Sequence, residues 1–148
     1  MGDGLSIRTA ETADLDAIER LLTAAALPTA GVAAVLADFL LIEVAGKLAA
    51  CGGLEIHGDC ALLRSLVVQE AMRRQGLGDT LCAALLRDAR LRGIDEVYLL
   101  TTTAPQFFAR HGFRAQSREQ APSAIRASQE FSQLCPQVAI LMRHGGGS

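Results

Sequence analysis

Cys60-Ala61-Leu62-Leu63-Arg64-Ser65-Leu66-Val67-Val68-Gln69-Glu70-Ala71-Met72-Arg73-Arg74-Gln75-Gly76-Leu77-Gly78-Asp79-Thr80-Leu81 is the stretch on which the fold turns. It opens as a mostly apolar run that ends on β-branched residues, the pattern of a buried strand. A short polar loop follows, then Arg-Arg-Gln-Gly-Leu-Gly, then apolar residues at helical spacing over 77–92. A glycine loop that opens a helix is an anion site. Its first N–H groups have no intrahelical acceptor, and the helix dipole favours negative charge. Gly76 and Gly78 let the backbone approach a phosphate, and Arg73 and Arg74 add cationic donors. Two other phosphate loops are excluded. No Gly-Lys-Ser/Thr follows, and no G-x-G-x-x-G follows the first strand.

Outward from this stretch, 148 residues make one domain with a core of its own, over 1–144, with 145–148 as a flexible tail. Half the residues are hydrophobic and the mean hydropathy is +0.26, so the chain folds. A net charge of −2 argues against a nucleic-acid footprint. No apolar run reaches the ~20 residues a bilayer span needs, and no basic leader precedes an apolar core. The expectation is a cytoplasmic protein with no nucleic-acid or membrane partner. Cys51, Cys60, Cys82 and Cys135 lack paired C-x-x-C spacing, so they read as buried small hydrophobes, with no metal site.

Leu5 to Thr9 alternates as a strand. Thr12 and Asp14 precede a helix carrying Leu15, Ile18, Leu21 and Leu22, which Pro28 ends. A second short helix is predicted over 29–39, strands over 40–45 and 48–56, and a turn at His57-Gly58-Asp59. Downstream come a strand over 96–101, a helix over 104–110, a strand over 112–116, a helix over 122–134 and a last strand over 138–142. Hairpin-linked strands followed by strand–helix units predict an α/β (α+β) mixed sheet with helices on both faces.

Arg73-x-x-Gly76-x-Gly78, placed between a strand and a helix, resembles the acetyl-CoA pyrophosphate loop of the GNAT N-acetyltransferases. The element order matches that fold over nearly the whole chain. Ala104, Gly112 and Phe113 match a second GNAT landmark. There, Thr101 stands for the usual Asn, and Phe108 stands for a Tyr that protonates the leaving thiolate in many members. Phe has no hydroxyl, so that mechanism does not transfer whole. Gly53-Leu54-Glu55, Leu62-Leu63-Arg64-Ser65, Tyr98 to Ala104, Phe107-Phe108 and Phe131-x-x-Leu134-Cys135-Pro136 resemble the arsenic-resistance branch of the family, close to a branch acting on phosphinothricin-like compounds.

The resemblance implies an acyl-CoA N-acyltransferase fold, its mostly antiparallel sheet splayed at the fourth and fifth strands. It implies acetyl-CoA as co-substrate, no metal, and a small-molecule amine acceptor such as an arsenic-containing amino acid. Members are often dimers, and pairing of C-terminal strands into a homodimer stays open. Leu66, Val67 and Val68 would hold the pantetheine arm, and Arg73, Arg74, Gln75, Gly76, Leu77, Gly78 and Asp79 the pyrophosphate. The Asp79 carboxylate would repel phosphate and is expected to point away. Thr101, Phe107, Phe108 and Arg110 complete the implied cofactor contacts, the two Phe rings by packing against cofactor and sheet.

The base is sought by geometry. If Gly58-Asp59 is a two-residue turn, Glu55 faces Leu62 with Arg64 as its diagonal neighbour on the same side. A three-residue turn would put Glu55 opposite Ala61, away from Arg64. In the first case Glu55 is either a base working through water or half of a structural ion pair. Arg64, a charge inside an apolar strand, needs a partner and offers a planar fork to an anionic acceptor. Ser65, Thr102, Thr103 and Arg118 are the other substrate candidates, with Arg126, Ser128 and Gln129 on a lid helix. A CoA-binding module without turnover, and acetylation of a protein amine, are the competing functions.

Overall fold

The computed structural model describes residues 4–128 and 139–145. Its strands are β1 (Leu5–Thr9), β2 (Phe39–Val44), β3 (Lys47–His57), β4 (Cys60–Val68), β5 (Glu96–Thr101), β6 (Arg114–Gln116) and β7 (Ile140–Gly145). The helices are α1 (Leu15–Ala24), α2 (Leu77–Leu91), α3 (Pro105–Arg110) and α4 (Ser123–Arg126). One sheet takes the order β1-β2-β3-β4-β5-β7-β6, antiparallel throughout except for the β4–β5 pair. This is the mixed sheet the element order predicts. No helix among the described residues is long and apolar enough to cross a membrane.

The elements follow their apolar spacing. Leu77, Leu81, Cys82, Leu85 and Ala89 form the buried stripe of α2, which packs on Ala50, Leu54, Leu63 and Leu99. On the opposite face Ile18, Leu21 and Leu22 of α1 meet Phe39, Leu41, Cys51 and Val67. A third cluster joins Leu62, Tyr98 and Leu141 to Ala121 and Ile125. Helices therefore cover both faces.

Some bounds differ from expectation. α1 stops at Ala24, and Ala26 turns the chain at φ +59° before Pro28 is reached. The helix expected over 29–39 is a 3-10 segment, Ala33–Asp38, kinked at Val35. The helix expected over 122–134 is described only as α4. Residues 129–138, with Gln129, Phe131 and Leu134 of that expected helix and Cys135, Pro136 and Val138 beyond it, lie outside the described residues. β7 runs through Gly145, which pairs with Glu96 one residue into the expected tail. β7 is flanked by β5 and β6, so among the described residues the sheet's edges are β1 and β6.

The β3–β4 hairpin turns on Gly58-Asp59, and Glu55 faces Leu62 as the two-residue turn requires. That register holds as far as Gly53 opposite Arg64 and then shifts by one, with Cys51 opposite Val67. The extra residue falls at Ser65–Leu66, and Ser65 has φ +63°. This is a β-bulge, and it reverses which face each later side chain takes. Leu63 packs on the α2 side, yet Val67 packs on the α1 side. Gly52 lies opposite the bulge. A Cβ there would come within 2.9 Å of Leu66 Cδ1 and 3.0 Å of Leu85 Cδ1, so a larger residue makes those side-chain ends shift.

Candidate active site

β4 and β5 pair only from Cys60–Glu96 to Leu62–Tyr98. Beyond Leu62 the two strands part, and a cleft of about 930 Å³ opens between their C-terminal ends. The separation is the predicted splay. Its consequence is chemical: the β5-facing edge of β4 continues past Leu62 with no strand beside it among the described residues, leaving backbone groups for a ligand. Of the residues singled out in sequence, Arg64, Ser65, Leu66, Val67, Val68, Arg73, Gly78, Thr101, Thr102, Thr103, Phe107 and Phe108 line this cleft. Ala25 to Pro28 and Ala139 also line it. Sequence reasoning missed the 25–28 wall because Pro28 signals only where a helix stops, not what lies across from it.

The N-terminus of α2 opens beside the cleft. Gly76 takes φ +80° and Arg74 φ +69°, so the chain makes a left-handed turn just before the helix. Nothing lies within 4 Å of a Cβ added at Gly76, so glycine is favoured there by backbone conformation. Thr80 N–H is the first to return to a helical acceptor, Gly76 O, at 3.0 Å. The amides of Leu77, Gly78 and Asp79 precede it in the first turn, where no intrahelical acceptor exists. Leu77 is buried and anchors the turn, while Arg73, Arg74 and Gln75 are exposed. Arg73 Nε donates to Val68 O at 3.2 Å, tying the loop to the end of β4.

Asp79 turns towards α3. Its Oδ1 lies 2.8 Å from His111 Nε2 and accepts from Arg110 Nη2 at 3.1 Å. The His111 hydrogen bond, then Arg110, holds its carboxyl below the usual range. The same two side chains border Phe107. The His111 ring lies 5.0 Å from it and the Arg110 guanidinium 5.2 Å. Phe107 meets Phe108 edge-on at 5.0 Å, and Phe108 meets Phe113 at 5.7 Å. A Cβ at Gly78 would touch the Phe107 ring at 3.5 Å, an ordinary contact.

Glu55 and Arg64 meet on one face of the sheet, as the two-residue turn predicts. Arg64 Nη1 donates to Glu55 Oε2 at 2.7 Å, Nη2 to Ala30 O at 2.9 Å and Nε to Ser65 Oγ at 3.0 Å. The arginine side chain has 0% exposure, so its fork is already engaged inside the protein. Glu55 Oε1 lies 3.3 Å from His57 Nε2, and Glu55 is not part of the cleft wall. The ion-pair alternative for Glu55 is therefore present in the structure.

The remaining candidates sort by position. Thr101 Oγ1 accepts from the Ala104 amide at 3.0 Å, and Thr102 and Thr103 are exposed. Arg118 Nη2 donates to Ala139 O at 3.0 Å, tying the approach to α4 onto the start of β7. Ser128 is buried, and its Oγ donates to Ile125 O at 2.7 Å. Arg74, Gln75, Gly76, Leu77, Asp79, Arg110 and Arg118 lie outside the cleft wall. Cys51, Cys60 and Cys82 are buried, and burial pushes the Cys51 and Cys82 thiols up to about 12. Among the described residues, no three His, Cys, Asp or Glu side chains converge as a metal site would require.

A family model described as acetyltransferase (GNAT) domain matches residues 36–115. Over 93 residues the chain is 36% identical to an amino-acid acetyltransferase of Ectopseudomonas mendocina (strain ymp), covering 62% of this chain and 21% of that one. It is 36% identical over 72 residues to an amino-acid acetyltransferase of Mycobacterium tuberculosis, covering 48% of this chain and 41% of that one. The chain thus spans less than half the length of these curated relatives. Among solved structures it superposes on N-acetylglutamate synthase from Neisseria gonorrhoeae, complexed with coenzyme A and N-acetyl-glutamate. That match has a TM-score of 0.82 and 23% identity, over 95% of this chain and 35% of that one. A Mycobacterium tuberculosis protein in complex with CoA superposes with a TM-score of 0.81 at 25% identity, over 95% and 99% of the two chains.

Proposed function

This chain belongs to the GNAT acetyltransferase family, and from that premise we propose that it transfers the acetyl group of acetyl-CoA to the amine of a small amino-acid acceptor. The observation that carries the proposal is continuity: the open N-terminus of α2 and the β4–β5 cleft meet at Gly78, which lines the cleft with no Cβ. A diphosphate suits the first-turn amides of α2, with Arg73 and Arg74 nearby. The exposed edge of β4 suits the amides of a pantetheine arm, and Phe107 and Phe108 give the cleft an apolar wall. Acetyl-CoA supplies an activated acyl carbon. The protein's part is to hold the thioester at the splay and admit an amine from the side of Ala25 to Pro28 and the Thr101–Thr103 rim.

The acceptor class is supported by the amino-acid acetyltransferases that the chain resembles. An arsenic-containing or phosphinothricin-like amino acid is a narrower reading that rests on the sequence words around Glu55, Arg64 and Tyr98 to Ala104. Arg64 sits at the cleft, but its fork is engaged by Glu55, Ala30 and Ser65. Its influence on the acceptor is therefore assigned through Ser65 and the shape of the bulge. A second reading, cofactor binding without turnover, is favoured by one feature: Phe108 offers no acid.

Two measurements separate these readings. Saturating acetyl-CoA is expected to raise Tm, since a ligand at 100 times its Kd stabilises by about 2.7 kcal/mol. Mass spectrometry after incubation with acetyl-CoA and a panel of L-amino acids, arsenical and phosphinate amino acids is expected to show a +acetyl product for an amino-acid member. A Tm shift with no product from any amine would favour the silent module, and no shift would sink both.

A further inference from the structure

An amine that attacks a thioester sheds a proton, and the departing sulfur gains one. Phe107 and Phe108 at the cleft have none to give. Among the described residues, the hydroxyls lining the cleft are Ser65, Thr101, Thr102 and Thr103. Thr101 Oγ1 accepts from the neutral amide of Ala104, and Thr102 and Thr103 stand exposed at the rim. Ser65 differs. It is buried at 9% exposure, it lies just past Leu62 where β4 leaves β5, and the bulge at φ +63° sets its backbone. A non-glycine residue held in that region marks a place where the surroundings over-determine the conformation.

The Arg64 contact is decisive. Nε donates to Ser65 Oγ, so the oxygen is the acceptor in that bond and its own proton is directed elsewhere. A permanent cation bonded to the oxygen favours the alkoxide, so the proton leaves more readily. The guanidinium is fixed by Glu55 Oε2 at 2.7 Å and Ala30 O at 2.9 Å, which keeps Nε aimed at Ser65.

Resting on the acetyltransferase reading above, we propose that Ser65 is the proton shuttle of the reaction, with Arg64 and Glu55 as its positioning residues. The acceptor nitrogen bonds to the acetyl carbon. The carbon–sulfur bond breaks with its electron pair on sulfur, and Ser65 Oγ passes its proton to that sulfur. Oγ then takes the proton the nitrogen sheds. The serine ends as it began, the products are an amide and the CoA thiol, and no further reactant is consumed.

Ser65→Ala removes Oγ and keeps Cβ. With acetyl-CoA and the fastest amine of an L-amino-acid panel, it is expected to lower kcat about 100-fold, leaving KM for acetyl-CoA within about twofold. With phenyl thioacetate, whose thiolate departs without a proton, variant and wild type are expected to agree within about twofold. Glu55→Gln is expected to show a smaller kcat loss with the same donor dependence. Ser65→Gly, suited to the positive φ, repeats the test should the alanine variant not fold. An unchanged kcat, or an equal loss with both donors, would overturn the Ser65 assignment and leave the acetyltransferase reading standing. Wild-type protein that binds acetyl-CoA but releases no CoA with any amine would overturn both.

Discussion

At the residue scale, the ion pair of Glu55 and Arg64 shows how much one buried contact weighs. Removing one partner strands a charge, which costs about 3–5 kcal/mol; a neutral replacement also leaves the guanidinium without a counter-charge but keeps a hydrogen bond to it, which offsets part of that cost. Glu55→Ala is therefore expected to lower Tm by about 10 °C, and Glu55→Gln by less than half of that, by calorimetry. Gly53 faces Arg64 from β3, and a Cβ there would run into the Phe39 ring. Gly53→Ala is expected to destabilise by about 1–3 kcal/mol in urea unfolding, through overpacking. Gly78 is the contrasting case: a methyl there meets Phe107 at an ordinary 3.5 Å. Gly78→Ala is expected to leave Tm unchanged or higher. It should raise KM for acetyl-CoA about tenfold, roughly the loss of one amide hydrogen bond.

At the scale of elements, two features shape the cleft, and both are junctions. The first is the bulge in β4, which lets Leu63 and Val67 pack on opposite faces of the sheet. The second is the Asp79 clasp between α2 and α3, which holds Arg110 and His111 beside Phe107. Asp79 and Arg110 are both well exposed, so the clasp adds little stability in water. Its expected effect is positional. Asp79→Asn should leave Tm within about 2 °C yet raise KM for acetyl-CoA several-fold, by loosening the Phe107 wall. Steady-state kinetics beside a thermal melt would check both halves. The place of the hairpin turn, with its two candidate registers, the start of α2 and the loop glycines were legible in sequence because turn chemistry and apolar period are local. The bulge was not. Leu-Leu-Arg-Ser-Leu-Val-Val carries no glycine, and the parity change answers to what α1 and α2 offer on the two faces.

For the whole molecule, stability depends on pH through groups whose titration folding shifts. His144 on β7 is held below the usual histidine range, first by burial and then by Arg90 and His111. A depressed histidine binds fewer protons folded than unfolded, so stability rises with pH across its titration. Its contribution is complete above the ordinary value of 6.5 and is lost as pH falls towards its depressed folded value. Tm is thus expected to fall between pH 7.5 and pH 5.5, and His144→Gln to flatten that slope, in scanning fluorimetry at fixed ionic strength. Asp14, held low by its hydrogen bonds from Arg8, adds a second loss at more acid pH, below the ordinary 3.8.

The sequence by itself determined the element order, the anion-ready start of α2 and, given a two-residue turn, that Glu55 and Arg64 share one side of the sheet. Each depends on residues close in the chain, where spacing and turn type leave few geometries. Tertiary structure alone decided where β4 leaves β5, that Ala25 to Pro28 form the far wall, and that Arg64 spends its fork on Glu55, Ala30 and Ser65. Those outcomes are set by packing across the sheet between segments distant in sequence, and no local propensity encodes which of several donors and acceptors a buried guanidinium will reach.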